Sequence, residues 1–238
     1  MTYHCAAITG ASSGIGRAIA LKMAQENVSV ALLARRIDKL EKLAEEIKAL
    51  NPQVKVFPFQ GDVQDKTSIE RFLMESEKSL GELDIFFNNA GISFKEPFPS
   101  LSSEQVESMV ETNFTGSIWS IYHAMKIFEK RKRGVLVNIS STTVLKPSLQ
   151  GPLYSAIKLG IAGLVRSLEE KYLTEKEIKI INILPGPTLT ELDIDDLTRI
   201  NKESLISPED IAHWAWLAIN SPKNCKVSNI VLRNSGNF

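Results

Sequence analysis

Two cysteines and three histidines in 238 residues leave little material for disulfide or metal chemistry. Cys5 sits in the apolar run Cys5-Ala6-Ala7-Ile8 and reads as a small core residue, so a disulfide framework is not indicated. His4, His123 and His213 lack metal-ligand spacing, and no metal site is expected. An excess of one charge is missing too: Lys plus Arg and Asp plus Glu are both 28. That balance provides no overall field for nucleic acid or an acidic membrane. The basic cluster Lys126, Lys130, Arg131, Lys132 and Arg133 falls where a helix should end, and a solvated helix end suits it. No apolar run is long enough to span a bilayer, and no signal-peptide pattern precedes the first strand. A cytoplasmic protein is expected. No linker or low-complexity stretch divides the chain, which points to a single domain over 1–238.

What is present is alternation. Apolar or β-branched runs at 5–8, 28–34, 54–59, 83–87, 135–139, 178–184 and 226–232 alternate with helical patterns. Among the helices are a stripe of Leu40, Leu43, Ala44, Ile47 and Leu50, a long segment from Leu101 to Phe128, and another from Tyr154 to Tyr172. Ser207-Pro208-Glu209-Asp210 has the cap, proline and acids of a helix start. This cadence predicts an α/β fold: a Rossmann-like, doubly wound parallel sheet of about seven strands with helices on both faces. Ligands bind beyond the carboxyl ends of such strands, where the polar and glycine-rich residues of this chain collect.

The first of these ends is Thr9-Gly10-Ala11-Ser12-Ser13-Gly14-Ile15-Gly16, between a strand and an amphipathic helix. Glycines there allow backbone N–H groups to approach a pyrophosphate, with the positive end of the helix dipole behind them. After the second strand come Arg35 and Arg36, with Ala34 where an acid for the adenosine ribose often stands. Guanidinium groups there welcome a 2′-phosphate, so NADP(H) is favoured over NAD(H). Tyr154 and Lys158 are four apart on one helix and share a face. An adjacent ammonium favours the phenolate, which suits a tyrosine that exchanges a proton with a carbonyl or alcohol oxygen while hydride moves to or from a cofactor. An ordinary exposed Tyr–Lys pair has the same spacing. Ser140 and Ser141 end the preceding strand, where a hydroxyl can meet a substrate oxygen or bond its own backbone. Asn113 falls on an apolar stripe with Met109, Val110, Phe114 and Ile121. Its amide must have partners there, either as a helix-bending group that holds a water or as a satisfied structural amide.

With these residues in view, the chain resembles the short-chain dehydrogenase/reductase family over essentially its whole length. The matching pieces are Thr9-Gly10-x-x-x-Gly14-x-Gly16, Asp62-Val63, Asn88-Asn89-Ala90-Gly91, Asn113, Ser141, Tyr154-x-x-x-Lys158 and Pro185-Gly186. Ser141, not Ser140, stands at the family's distance from the tyrosine. The resemblance implies Tyr154 as general acid/base, with Lys158 lowering its pKa and holding the nicotinamide ribose. It implies Ser141 as the group that orients the substrate oxygen and Asn113 as the holder of a water in a proton relay. Ser12, Ser13, Gly14, Ile15, Gly16, Ala90 and Gly91 fall in the implied cofactor cradle. Asp62 and Val63 would meet adenine, Asn89 the adenosine side, and Pro185, Gly186, Thr188 and Thr190 the carboxamide and diphosphate region. Arg35 resembles the family's 2′-phosphate arginine. Members pair their Asn113-type and Tyr154-type helices, so a homodimer or homotetramer is implied.

Three departures qualify the match. Ile157 precedes the lysine where a small serine is usual, and Val227 to Phe238 lacks the Asp-Gly-Gly tail of acyl-chain reductases. The substrate-lid segment near 189–206 is short and acidic, with Glu191, Asp193, Asp195 and Asp196, and offers no cationic anchor. The expected function is hydride transfer between NADP(H) and a neutral, modest-sized carbonyl or secondary alcohol. A catalytically idle dinucleotide-binding regulator and a non-redox epimerase or dehydratase share the fold.

Overall fold

The computed structural model describes residues 3–94, 96–148, 151–174, 177–190, 205–222 and 224–235. Strands β1 (Cys5–Thr9), β2 (Ser29–Ala34), β3 (Val56–Gln60), β4 (Ile85–Asn88), β5 (Gly134–Ile139), β6 (Ile178–Pro185) and β7 (Asn229–Leu232) all pair in parallel. Their order is β3-β2-β1-β4-β5-β6-β7. The order reverses between β1 and β4, and that is where an open α/β sheet leaves its ligand crevice.

Side chains alternate across the sheet and build two apolar layers. On one face Ile8, Leu32, Phe87 and Val137 pack under α1 (Gly14–Gln25), α2 (Ile37–Leu50) and α7 (Pro208–Ile219). On the other, Ala7, Leu33, Phe86 and Leu136 meet α3 (Lys66–Leu80), α5 (Ser117–Arg131) and α6 (Pro152–Lys171). Burial on both faces is why these strands read as continuous apolar runs. The expected cap of α7 is formed: Ser207 Oγ accepts from Asp210 N at 3.0 Å.

Several boundaries differ from the expected ones for local reasons. Strands β2, β3, β4 and β7 begin one to three residues late. Val28 and Val54 still donate their N–H groups into the preceding turns, to Met23 and Asn51. Leu83 N is taken by Glu77 Oε1 at 3.2 Å. The long segment from Leu101 to Phe128 is not one α-helix. It runs as α4 (Ser103–Val110), a π turn (Glu111–Gly116) and then α5. The basic cluster is only partly solvated. Helix α5 does end at Arg131, with Lys132 left-handed at φ 54°, but Arg131 turns back to Glu77 and Glu82. Arg133 pairs with the buried Asp84 at 3.2 Å.

A ladder of amides crosses four strands at one level. Asn88 Nδ2 donates to Asn138 Oδ1 at 2.7 Å, Asn138 Nδ2 to Asn182 Oδ1 at 2.8 Å, and Asn182 Nδ2 to Asn229 Oδ1 at 3.1 Å. The backbone register puts the same residues opposite one another. Asn138→Leu removes two rungs and leaves a buried amide on each side without its partner. At about 1–3 kcal/mol per orphaned group, unfolding free energy should fall by about 2–6 kcal/mol. Urea titration of the two proteins measures it, and a loss below about 1 kcal/mol would mean the rungs contribute little.

Candidate active site

The cleft begins at Thr9, which is fully buried at the end of β1. Its hydroxyl donates to Phe87 O at 3.2 Å and accepts from Asn89 N at 3.0 Å and Ala90 N at 3.1 Å. Asn89 returns the contact, with Nδ2 donating to Thr9 O at 2.9 Å. The glycine turn and the Asn89-Ala90-Gly91 loop are therefore one unit. Gly10 adopts φ 67°, and a Cβ on Gly16 would lie 2.4 Å from Gly10 O, so neither position tolerates a side chain. Helix α1 starts without a side-chain cap at Ser13. Beside it opens a cleft of about 620 Å³ lined by Gly10, Ser12, Ser13, Gly14, Ile15, Arg35, Arg36, Asp62, Val63, Asn89, Ala90, Gly91 and Thr190. A glycine cradle, uncapped helix N–H groups and two guanidiniums fit the phosphates of a dinucleotide.

Of the two arginines, Arg36 is the one fastened to the glycine turn. Its guanidinium donates to Ser12 Oγ at 3.0 Å and Ser13 Oγ at 2.9 Å. Arg35 is exposed beside it, and its carbonyl accepts from Gln60 Nε2 at 3.2 Å.

The remaining predicted residues gather deeper, beyond β4, β5 and β6. Asn113 lies in the π turn and is buried; its Oδ1 accepts from Ile92 N at 2.7 Å and its Nδ2 donates to Ile92 O at 2.6 Å. The amide thus has the partners its burial demands, and the helix changes pitch there. Lys158 is buried on α6 and donates to Ile139 O at 3.1 Å, two residues before Ser141. Its ammonium lies 5.6 Å from the centre of the Tyr154 ring. Burial holds the Lys158 pKa down at about 8, from an ordinary 10.5. Ser141 Oγ accepts from Thr143 N at 3.2 Å and keeps its own proton to donate. Ser140 Oγ is buried with no hydrogen-bond partner among the described residues. Tyr154 borders a small hollow with Phe94, Phe98, Leu101, Met109 and Leu153. Phe94 also lines the large cleft, so hollow and cleft adjoin.

Three predicted contacts sit differently. Pro185 ends β6 in the core, and Gly186 N is taken by Leu232 O at 2.8 Å. Thr188 is buried with its hydroxyl donating to Gly186 O at 2.8 Å, so it braces the turn, while Thr190 reaches the cleft. Most of the expected lid, residues 191–204 with its four acids, lies outside the described residues. Sequence reasoning missed Ile92, Phe94, Ser108 and Thr112, which also line the cleft. Thr112 adjoins Asn113, and its place on that segment's buried stripe was the available signal.

Among the described residues no group of three His, Cys, Asp or Glu side chains could hold a metal ion. What converges is a cleft lined by the glycine turn and two arginines and, on a hollow that adjoins it, a tyrosine backed by a buried lysine that bonds the strand end before Ser141. Oxidoreductases with a Rossmann-like domain are the class this defines. The short chain dehydrogenase family matches residues 4–200, and the chain belongs to it. An uncharacterized oxidoreductase of Staphylococcus aureus is 29% identical over 233 residues, 98% of each chain. The alcohol dehydrogenase of the archaeon Thermococcus sibiricus, solved with 5-hydroxy-NADP, superposes with a TM-score of 0.88 at 26% identity, covering 100% of this chain and 99% of that one. A short-chain type dehydrogenase/reductase from Mycobacterium marinum gives 0.86 at 25%, covering 97% and 94%. The protein is thus an oxidoreductase of the short-chain dehydrogenase family.

Lys158 carries a measurable cost. Between about pH 8 and 10.5 the unfolded chain holds a proton here that the folded chain has released, so stability rises with pH across that window; below 8 the full penalty applies. Lys158→Met should therefore be more stable than wild type at pH 7, by about 2–4 kcal/mol. The gap should shrink as pH climbs from 8 toward 10. Melting both proteins over this range is the test, and a gap independent of pH would contradict the buried charge.

Proposed function

We propose that this enzyme passes a hydride between NADP(H) and a carbonyl or secondary alcohol, with Tyr154 as general acid/base. The observation that carries the reading is the Tyr154–Lys158 pair, with Tyr154 on the hollow that adjoins the cleft. When bound, the nicotinamide supplies the hydride chemistry, and the residues of the chain manage the proton and the oxygen. The Lys158 ammonium favours the phenolate and so eases proton exchange at Tyr154 Oη. Ser141 donates its hydroxyl proton to the substrate oxygen and stabilises charge that develops there. The two clamps from Asn113 to Ile92 keep the loop after β4 against the reacting end.

A preference for NADP(H) over NAD(H) is supported by Arg35 and Arg36 at the rim and by the absence of an acid at Ala34. Ser12 and Ser13 hold the Arg36 guanidinium in place for a 2′-phosphate. Within the hollow, Phe94, Phe98, Leu101, Met109 and Leu153 favour a substrate that is apolar around its carbonyl; Glu96 is the charged member of that lining. A homodimer or homotetramer through α5 and α6 is the proposed assembly, supported by the exposed Tyr122 and Leu159 on those helices. Two free thiols, one of them exposed at Cys225, suit the reducing cytoplasm.

Titrating the purified protein with NADPH and NADH separately tests the cofactor. NADPH should bind more tightly, and Arg35→Ala or Arg36→Ala should each weaken NADPH roughly tenfold while leaving NADH within about twofold. Equal losses for both dinucleotides would remove the 2′-phosphate reading. Tyr154→Phe should keep NADPH affinity and lose roughly 10²–10⁴-fold in turnover of an apolar ketone. Near-native turnover in that variant would show that another group moves the proton.

A further inference from the structure

Gln64 lies outside the cofactor fingerprint, yet it joins two parts of the site. Its backbone N–H donates to Asp62 Oδ1 at 3.0 Å, and its side-chain Nε2 donates to Thr112 Oγ1 at 2.9 Å. Asp62 N in turn is tied to Ser68 Oγ at 3.3 Å. Thr112 is only 7% exposed and sits in the π turn beside Asn113. The same turn presses on the Asp62 loop a second time at Gly116, where a Cβ would stand 2.8 Å from Val63 O. The loop that carries Asp62 is thus held to the π turn at two points. The π turn is held to Ile92 at a third.

A carboxylate only accepts hydrogen bonds, so the direction in which Asp62 points decides which base it can pair with. Adenine offers an exocyclic amine as donor. Hypoxanthine offers a carbonyl oxygen at the same position, and two sets of lone pairs would face each other. We infer that Gln64 and Thr112 are a positioning pair that aims the Asp62 carboxylate at the adenine amine and so sets the preference for an adenine dinucleotide. The inference rests on the reading of the cleft as an NADP(H) site with Asp62 at the adenine. Without the Thr112 hydroxyl, the Gln64 amide loses its acceptor beside the cleft, and the backbone that steadies Asp62 is released.

The experiment is calorimetric binding of NADPH and of its deaminated analogue, reduced nicotinamide hypoxanthine dinucleotide phosphate, to wild type and variants. Wild type should prefer NADPH roughly tenfold. In Thr112→Val, NADPH affinity should fall roughly five- to tenfold while the analogue stays within about twofold, which collapses the ratio. Thr112→Ser retains the oxygen and should restore it. An unchanged ratio in Thr112→Val, or equal losses for both dinucleotides, would overturn the inference and leave Thr112 with a packing role. Should Thr112→Val fail to fold, Gln64→Met breaks the same bond from its more accessible end, and the same two outcomes decide. Wild type that binds neither dinucleotide would overturn the cofactor reading and this inference with it. Tight NADPH binding with a ratio that the variants do not move overturns the inference alone.

Discussion

Everything in the site hangs from a level across the sheet that the buried amides define. Parallel strands are individually indifferent to a slip along their length; an apolar core alone would forgive a shift by two residues. A row of hydrogen-bonded asparagines does not, because each slipped rung leaves buried donors and acceptors unpaired. Just beyond Asn88, Asn138 and Asn182 the three strands end, and the loops that follow carry Gly91, Ser141 and Gly186. The ladder therefore fixes the height at which those loops leave the sheet. Thr9 extends the tie to the glycine turn by bonding the backbone of Asn89 and Ala90, directly after the first rung.

The alternation of strands and helices was legible because strands covered on both faces must be apolar throughout, and the pairing of Tyr154 with Lys158 because helical spacing is a local property. What escaped depends on residues far apart in the chain. Each ladder asparagine looks like a stray polar residue in an apolar strand until its partner, 44 to 50 positions away, is known. Arg133 resembles a solvated helix end because Asp84, which pairs with it, lies just ahead of β4 and far from it in the chain. For Asn113 the sequence demanded partners without naming them, and Ile92 is reached only through the fold. The motif of Thr188 did not show that its hydroxyl proton goes to Gly186 O two residues back.

Lys158 shows what the site gives up in stability. Among the described residues its ammonium bonds a backbone carbonyl and touches no carboxylate, so its charge is carried at the expense of the folded state. An acid nearby would stabilise the ammonium and at the same time oppose a phenolate at Tyr154. Leaving the lysine without one keeps its field directed at the tyrosine ring 5.6 Å away. Under the proposed mechanism, activity and stability thus pull this position in opposite directions.

The π turn has a geometric consequence of its own. A helix advances by about 100° per residue, so one residue more or less between α4 and α5 rotates one half against the other by that angle. Its length along the axis changes by only about 1.5 Å. Here the extra residue lets Met109 on α4 and Ile121, Met125 and Phe128 on α5 face the core together, with Asn113 turned to Ile92 between them. Loss of a single residue from 111–116 would leave a helix of almost the same reach with its two halves out of phase. Either the aromatic and aliphatic core of α5 or the amide at Asn113 would then have to face the wrong way. In this segment chain length is therefore constrained as tightly as residue identity.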